Sequence, residues 1–302
     1  MRHALDVRAL AALRGLFVRR GARLVHTHSS IDSWTGGLAA RSLRLPVVRS
    51  RHVTIAVPRR RTLVYRLADR ILTSAEQVKT VLTSAGVQPA KIVAVPPGVD
   101  IRQFHPGVSG AAVRAELGLD GPVAGLVANI RGSKGHDVFL DAAKEILAAI
   151  PGARFLIVGD GVGFDDVRAR VERLGLSRAV VMTGFRRDIP EVMAALDVLV
   201  LPSIRSEATS QVIVQALAVG TPVVATAIGG SPEVIRDGET GRLVPPNDAR
   251  ALAAAIVDTL RDRDRARAMA RAGQAFVRER LSIDAQMAAT TRVYRELLGV
   301  AG

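Results

Sequence analysis

The sequence predicts an α/β protein made of two domains, each built on a parallel sheet. Short β-branched runs alternate with longer amphipathic stretches almost from end to end, which is the pattern of βαβ units. The 302 residues exceed the length of one ordinary domain, and a turn-rich segment at Pro96–Asp100 interrupts the alternation. The composition, 48% hydrophobic and 23% charged, is that of a globular protein and excludes disordered and collagen-like classes.

The first domain is predicted to contain four strands. An amphipathic stretch from Leu5 to Arg20 precedes them and predicts a first helix. The predicted strands are Arg23–Thr27, Val47–Ser50, Arg70–Thr73 and Ile92–Val95, and the helices between them lie near Trp34–Leu43, Arg60–Leu67 and Glu76–Ser84. A doubly wound sheet usually has five or more strands, so we expect a domain of residues 1–105 that is incomplete at its start.

The second domain is predicted to be complete, over residues 106–284. A short helix at Gly110–Leu117 opens it. Its predicted strands are Pro122–Ala128, Arg154–Val158, Ala179–Thr183, Val198–Leu201, Pro222–Ala225 and Gly241–Val244. Helices are expected at Ala249–Leu260, Arg261–Arg280 and Ile283–Leu298. The last of these, over residues 285–302, is long enough to cross back to the first domain.

The positive charge is concentrated at one end of the chain. Residues 1–70 hold 15 Arg, no Lys, three Asp and no Glu, so they carry +12 of the formal net charge of +14. Such a region favours anionic partners: a membrane surface, a phosphorylated lipid or nucleic acid. A solvated arginine-rich surface is the competing interpretation. Aromatic residues total only 3% and do not interleave with the arginines, so nucleic acid ranks below a membrane.

Several chemistries are excluded or weakly supported. With no Cys, the chain has no disulfide, no Cys-ligated metal and no Cys nucleophile. No apolar run reaches the ~18 residues that span a bilayer, and no signal-peptide core forms, so we expect a cytoplasmic protein or one held at the inner face of the membrane. Gly159–Phe164 resembles a dinucleotide fingerprint but lacks its last glycine. His26 and His28 are expected to face opposite sides of a strand end, and the pair Asp262 and Asp264 is expected to be solvated, so no metal site is predicted.

The most informative stretch runs from Pro202 to Thr226. A strand ends at Leu201, a polar loop holds Glu207, Thr209 is expected to cap a helix, and that helix runs to Gly220. A helix N-terminus at the carboxyl edge of a parallel sheet presents unpaired N–H groups that suit a phosphate. A carboxylate beside an anion site is explained if it accepts hydrogen bonds from sugar hydroxyls of the same ligand. Gln215 offers an amide for further hydroxyls.

These residues and several others together resemble the retaining glycosyltransferases of family 4, which have the GT-B fold. The stretches that carry the resemblance are VHTH at 25–28, PVVRSRH at 46–52, PPGVD at 96–100, ANIRGSKGHD at 128–137, IVGDG at 157–161, TGF at 183–185, the segment 202–226, and GGSPEVIRDGETGRLV at 229–244. The resemblance implies two Rossmann-like domains that face a central cleft. It also implies transfer of a sugar from a nucleoside-diphosphate sugar with retention of configuration and without a metal cofactor.

The resemblance assigns roles residue by residue. Lys134 corresponds to the lysine that contacts the donor diphosphate, Glu207 to the acid that holds the donor sugar, and His52 to the acceptor-domain histidine near the reacting centre. Further donor-binding candidates, from the loop beside the nucleobase and the start of the 202–226 helix, are Asn129, Arg131, Gly184, Phe185, Arg186, Thr209, Ser210, Gln211 and Gln215. A lysine and a helix N-terminus suit a diphosphate on which negative charge grows as the glycosyl bond breaks.

The sequence departs from the family pattern at three places. Gln215 stands where a second glutamate is usual, and Asn129 stands where an arginine is usual; Arg131 is a candidate for the missing charge. The strands and glycine-rich loop with which family members begin have no match. The main hypothesis is an enzyme that acts on a cell-envelope glycan, such as lipopolysaccharide, or on a lipid-linked acceptor. The missing strands keep open a second hypothesis, a non-catalytic sugar-nucleotide-binding fragment. The arginine cluster keeps open a third and weaker one, a nucleic-acid-binding protein.

Overall fold

The computed structural model describes residues 6–205, 207 and 210–300, with the side chains of residues 59 and 60 left aside. The chain divides into two compact units. The first consists of Met1–Pro97 together with Asp284–Gly302, and the second of Gly98–Ile283. The divisions expected from the sequence were at residues 105/106 and 284/285. The final helix belongs to the first unit.

The first unit is built on a four-stranded parallel sheet in the order β1-β2-β3-β4. Its strands are β1 (Val25–Thr27), β2 (Val47–Arg51), β3 (Arg70–Thr73) and β4 (Ile92–Ala94). Its helices are α1 (Val7–Arg19), α2 (Ser30–Ser42), α3 (Glu76–Ser84) and α12 (Ile283–Leu298), with 3₁₀ helices at Arg59–Leu67 and Pro89–Lys91. Short parallel strands joined by helices follow from the alternating pattern of the sequence.

Both faces of this first sheet are covered. On one face, Val47 and Ile71 are buried against α2 and the 3₁₀ helix, whose Tyr65 is 3% exposed. On the other face, Val48 packs against Val293 of α12. Alternate residues of β2 thus enter two separate cores, as the two-residue period of a strand requires.

The second unit is built on a six-stranded parallel sheet in the order β10-β9-β8-β5-β6-β7. Its strands are β5 (Val123–Val127), β6 (Arg154–Val158), β7 (Val180–Gly184), β8 (Val198–Leu201), β9 (Val223–Thr226) and β10 (Arg242–Val244). The strand order reverses direction between β5 and β8, which pair side by side. Ligands of open α/β sheets bind in the crevice beyond the carboxyl ends of the strands at such a reversal.

Helices cover both faces of the second sheet. They are α4 (Ala111–Leu117), α5 (His136–Ala149), α6 (Phe164–Arg173), α7 (Ile189–Ala195), α8 (Gln211–Val219), α9 (Ser231–Val234), α10 (Ala249–Arg261) and α11 (Arg263–Arg280). Two apolar cores result, one beneath α8 with Leu199 and Leu217, and one beneath α5 with Phe139 and Phe155, whose rings meet edge to face. Both cores fix the strand ends that carry the candidate site.

All ten predicted strands are present, each within two residues of its expected bounds. The segment 60–67, predicted as a helix, adopts 3₁₀ geometry over Arg59–Leu67. None of the helices among the described residues is long and apolar enough to cross a membrane.

Candidate functional site

Three loops at the carboxyl edge of the second sheet are joined through their backbones. Ala128 N–H donates to the carbonyl of Val158 at 3.0 Å, and Ile130 N–H donates to that of Asp160 at 2.8 Å. Gly159 N–H donates in turn to the carbonyl of Gly184 at 2.9 Å. The loops after β5, β6 and β7 therefore form one continuous backbone surface.

Glycine is required where these loops approach each other. Gly159 has φ +139°, and a Cβ there would lie 1.9 Å from the carbonyl oxygen of Ala128. Gly161 has φ +151°, and its Cβ would lie 2.5 Å from the carbonyl oxygen of Ile130. The glycines that resembled a dinucleotide fingerprint thus allow close contact between two loops.

A cavity of about 980 Å³ opens on this backbone surface, within the second unit. Four of the predicted donor-binding residues line it: Asn129, Phe185, Arg186 and Gln215. The other lining residues come from the same strand ends and from α7 and α8; they are Val127, Ala128, Val158, Gly159, Asp160, Gly161, Val162, Arg187, Ile189 and Val212. Its size is in the range that encloses a small organic ligand.

Arg186 is held at the cavity wall by two carboxylates. Its guanidinium forms ion pairs with Glu116 at 2.7 Å and with Asp188 at 2.5 Å. The hydrogen bonds that Arg186 donates to Glu116, and then those it donates to Asp188, raise the pKa of Arg186 above its usual range. The orientation of Arg186 is thereby fixed. Arg131, the candidate for a missing charge, is exposed and precedes a 3₁₀ turn.

Lys134 lies at the end of that 3₁₀ turn, Gly132–Lys134, in the loop after β5. The next residue, Gly135, has φ +72°, and a Cβ there would lie 1.9 Å from the carbonyl oxygen of Pro202. Ile204 N–H also donates to the carbonyl of Ser133 at 3.0 Å. The loop after β5 is therefore packed backbone to backbone on the loop after β8.

This packing brings together two of the three residues predicted to be catalytic. Lys134 Nζ lies 2.6 Å from Glu207 Oε2, and the two side chains are only 13% and 9% exposed. Ser203 Oγ donates to the same carboxylate oxygen at 2.7 Å. The carbonyl of Glu207 accepts a hydrogen bond from Gly230 N–H at 3.0 Å. A buried carboxylate is thus held by a cation and a hydroxyl, and its main chain is fixed separately.

Helix α8 begins one residue later than expected. Ser210 occupies the N-cap position and makes no side-chain capping bond, so the expectation that Thr209 caps the helix is corrected. Thr209 itself lies outside the described residues. Gln211 is the first helical residue, and Gln215, one turn further, faces the cavity. Because the Ser210 side chain does not cap the first N–H groups, this helix end is suited to an oxyanion.

His52, the third residue predicted to be catalytic, lies in the first unit just after β2. Its ring is stacked on that of His28, with centroids 5.7 Å apart and planes 4° apart, and His28 is stacked on His26 at 4.3 Å. Burial, and then the neighbouring His28, lowers the pKa of His52. The expectation that His26 and His28 face opposite sides is wrong, because residues two apart on a strand share a face.

Four residues that contact the predicted site residues or lie beside them were not predicted as site residues from the sequence. His26, His28 and Tyr294 meet at one end of the first sheet, and Ser203 holds Glu207. The His-x-His spacing at a strand end was a signal for the first two. Tyr294 and Ser203 carry no signal of their own in the sequence. No group of three or more acidic or histidine side chains arranged to hold a metal ion occurs in the part of the chain that the structure describes.

Two family models match the chain. The model of the glycosyl transferases group 1 matches residues 121–262, and the model of Glycosyltransferase Family 4 matches residues 1–103. A D-inositol 3-phosphate glycosyltransferase of Segniliparus rotundus is 36% identical over 278 residues, which cover 83% of this chain and 61% of that protein. The protein of the same name from Mycobacterium tuberculosis is 35% identical over 264 residues, with 79% and 54% covered. The chain thus spans between about half and three fifths of the length of these curated relatives.

Solved structures with a similar fold cover nearly all of the chain. The crystal structure of Anabaena Alr3699/HepE in complex with UDP aligns with a TM-score of 0.86 at 25% identity, over 94% of this chain and 82% of that one. A glycosyltransferase from Rickettsia africae aligns with a TM-score of 0.90 at 22% identity, over 96% and 81%. The second likeness is one of fold alone.

Proposed function

Because the chain belongs to the group 1, family 4 glycosyltransferases of the GT-B fold, we propose that it transfers a sugar from a nucleoside-diphosphate sugar with retention of configuration. The acceptor in this proposal is a cell-envelope glycan or a lipid-linked sugar. The observation that carries the proposal is the buried contact between Lys134 and Glu207, at the sheet edge that also bears the cavity. One cation and one anion held together suit a ligand that has both phosphates and hydroxyls.

In this proposal the second unit binds every part of the donor. The cavity takes the nucleoside, with the exposed ring of Phe185 and the amides of Asn129 and Gln215 available to the base and ribose. Lys134 and the N–H groups at the start of α8, with Ser210 and Gln211, take the diphosphate. Glu207 accepts hydrogen bonds from the sugar hydroxyls. The UDP bound by Alr3699/HepE makes uracil the first base to test.

The proposed chemistry needs no protein nucleophile. The bond between the anomeric carbon and the diphosphate breaks, and the diphosphate leaves with the bonding electrons. The acceptor oxygen bonds to the anomeric carbon from the same face, and its proton passes to an oxygen of the departing diphosphate. Lys134 and the helix N-terminus stabilise the growing negative charge on the diphosphate. They also supply the positive charge that a metal ion would otherwise bring, so we propose that transfer persists in EDTA. His52 is assigned to the acceptor side.

The decisive experiment is calorimetric titration of the full chain with UDP, GDP, ADP and their sugar conjugates, followed by a transfer or hydrolysis assay. Lys134→Ala is expected to weaken diphosphate binding by at least about tenfold, because a charge-assisted phosphate contact is lost. Glu207→Gln is expected to leave nucleoside-diphosphate binding within a few fold and to abolish turnover. Lys144→Ala, at an exposed position of α5, is the matched control. Equal UDP affinity in wild type and Lys134→Ala would contradict the assignment of Lys134 to diphosphate binding.

A second candidate is a protein that binds sugar nucleotides without turnover. The observation behind it is Gln215, which stands where the family pattern has a glutamate. Binding of one nucleotide sugar with neither hydrolysis nor transfer, across candidate acceptors, would favour this candidate. Turnover that Glu207→Gln abolishes would exclude it.

We further propose that the first unit rests on an anionic membrane surface. Helix α1 has no buried residue, and Val7 and Val18 are 76% and 64% exposed beside exposed Arg8 and Arg14. Apolar and basic side chains on one exposed helix are typical of interfacial binding. Flotation with vesicles rich in anionic lipid, against neutral vesicles, tests this. Affinity for DNA or RNA that falls steeply with salt would instead support the nucleic-acid alternative.

A further inference from the structure

Three histidine rings form a continuous stack in the first unit, here called the histidine stack: His26, His28 and His52. The centroids of His26 and His28 are 4.3 Å apart at 30°, and those of His28 and His52 are 5.7 Å apart at 4°. His26 lies within the edge strand β1, His28 follows directly after it, and His52 follows the neighbouring strand β2. The parallel register of the two strands brings their carboxyl ends together, which places the rings side by side.

The first ring of the histidine stack is fixed at both nitrogens. His26 Nδ1 lies 2.5 Å from the hydroxyl of Tyr294, and His26 Nε2 lies 2.8 Å from Ser50 Oγ. Burial first, and then the charges of His28 and His52, lowers the pKa of His26 to about 4. The ring is therefore neutral near pH 7, and one of its nitrogens donates while the other accepts. It provides a rigid, uncharged surface for His28.

The second ring is fixed through its main chain. His28 N–H donates to Asp32 Oδ2 at 2.9 Å, and Asp32 also closes a capping box with Ser29 at the start of α2. Burial opposes ionisation of Asp32, but the hydrogen bonds from the His28 backbone and from Ser29 outweigh it and lower the pKa of Asp32, so it remains a carboxylate. The turn from β1 to α2, which carries His28, is thus held by these hydrogen bonds.

The third ring depends on the second. His28 Nδ1 lies 3.4 Å from His52 Nε2, so one nitrogen must carry the proton and the other must accept it. The other ring nitrogen of His52, Nδ1, has no hydrogen-bond partner within residues 6–205, 207 and 210–300. The contact with His28 therefore couples the tautomer of His52 to that of His28 and leaves Nδ1 of His52 as the nitrogen available to a ligand.

We infer that His28 is a positioning residue that fixes the ring orientation and tautomer of His52 for its contact with a substrate hydroxyl. This inference rests on the proposed function, in which His52 contacts the acceptor side of the reaction. His28 does not touch the reacting atoms in this scheme; it acts through His52. The stack with His26 explains why a partly exposed histidine holds one orientation.

The test combines nuclear magnetic resonance of histidine labelled with ¹⁵N and steady-state kinetics of the full chain. His28→Phe keeps a flat ring on His26 but removes the hydrogen bond. His28→Asn keeps a hydrogen-bonding group near the position of Nδ1. We expect one His52 tautomer in wild type, a mixture in His28→Phe, and partial return of the single tautomer in His28→Asn. His105→Asn, at a histidine of the second unit that contacts Gly107, is the control.

In the kinetic arm, His28→Phe is expected to lower kcat by up to about 100-fold, the cost of a misplaced contact group. His28→Asn is expected to recover part of this loss, and KM for the donor should change little. An unaltered His52 spectrum in His28→Phe overturns the inference, whatever the kinetics. Failure of the proposed function shows separately, as absence of nucleotide binding by wild type, and the tautomer measurement still decides whether His28 positions His52.

Discussion

The contact between Lys134 and Glu207 makes a quantitative prediction about stability. The two charges lie 2.6 Å apart and their side chains are 13% and 9% exposed, so each single substitution leaves a buried charge without its partner. At an effective dielectric constant of about 20, the gross attraction is about 6 kcal/mol, and desolvation offsets most of it. We therefore expect Lys134→Met or Glu207→Gln alone to lower the free energy of unfolding by about 3 kcal/mol.

In the double variant, the free energy of unfolding should fall by less than the sum of the two single decreases, and the difference is a coupling energy of about 2 kcal/mol. Amide hydrogen exchange at β5 and β8 is the suitable assay, because the single tryptophan, Trp34, lies in the first unit and does not report on the second. The comparison pair is Glu76 and Lys79 of α3, 3.5 Å apart with side chains 62% and 32% exposed, where a coupling energy below about 0.5 kcal/mol is expected. A coupling that small at Lys134 and Glu207 would refute the description of a buried, interdependent pair.

Three further predictions concern single positions. Gly159→Ala should lower the free energy of unfolding by more than about 2 kcal/mol, because the new Cβ meets a carbonyl oxygen at positive φ. Gly152→Ala adds a Cβ in open space and should change it by no more than about 0.5 kcal/mol. Chemical denaturation measures both. Folding lowers the pKa of His26 from 6.5 to about 4, so the folded state favours the neutral ring. The contribution of this ring to the free energy of unfolding is therefore complete above pH 6.5 and is lost as the pH falls toward 4. His26→Gln should therefore reduce the loss of stability of the first unit over that interval, and an unchanged pH profile would contradict this. Val293→Ala should lower the free energy of unfolding of the first unit by about 2 kcal/mol. Met287 is half-exposed, so Met287→Ala should cause no measurable change.

The strands and most helices were predictable because their burial leaves a direct mark on the sequence. A fully buried strand such as β8, Val198–Leu201, reads as an unbroken apolar run, and amphipathic α10 reads as a 3.6-residue period. The 3₁₀ helix over Arg59–Leu67 was predicted only as a helix, because the two helix types share their local preferences. The start of α8 was misplaced by one residue, because Ser and Thr are both good N-caps.

The candidate site was predictable as a set of residues but not as a set of contacts. Lys134 and Glu207 lie in loops far apart in sequence, and only the pairing of β5 with β8 brings those loops together. Tyr294 is farther still from His26, and no local pattern links a C-terminal helix to an N-terminal strand. The position of His28 beside His26 was predictable from the sequence, because residues two apart on a strand lie on the same face.

The position of α12 in the first unit has a consequence for biosynthesis. The ribosome makes the first sheet before the second unit, but Val293 and Tyr294, which complete its core and hold His26, are made after that unit. Every residue of the second unit, Gly98–Ile283, leaves the exit tunnel before them. The unit made first is therefore finished last, and the nascent first sheet keeps Val48 uncovered while the rest of the chain is being synthesised. A stalled-ribosome series that ends before and after residue 294 should show protease resistance of the second unit at shorter chain lengths than that of the first.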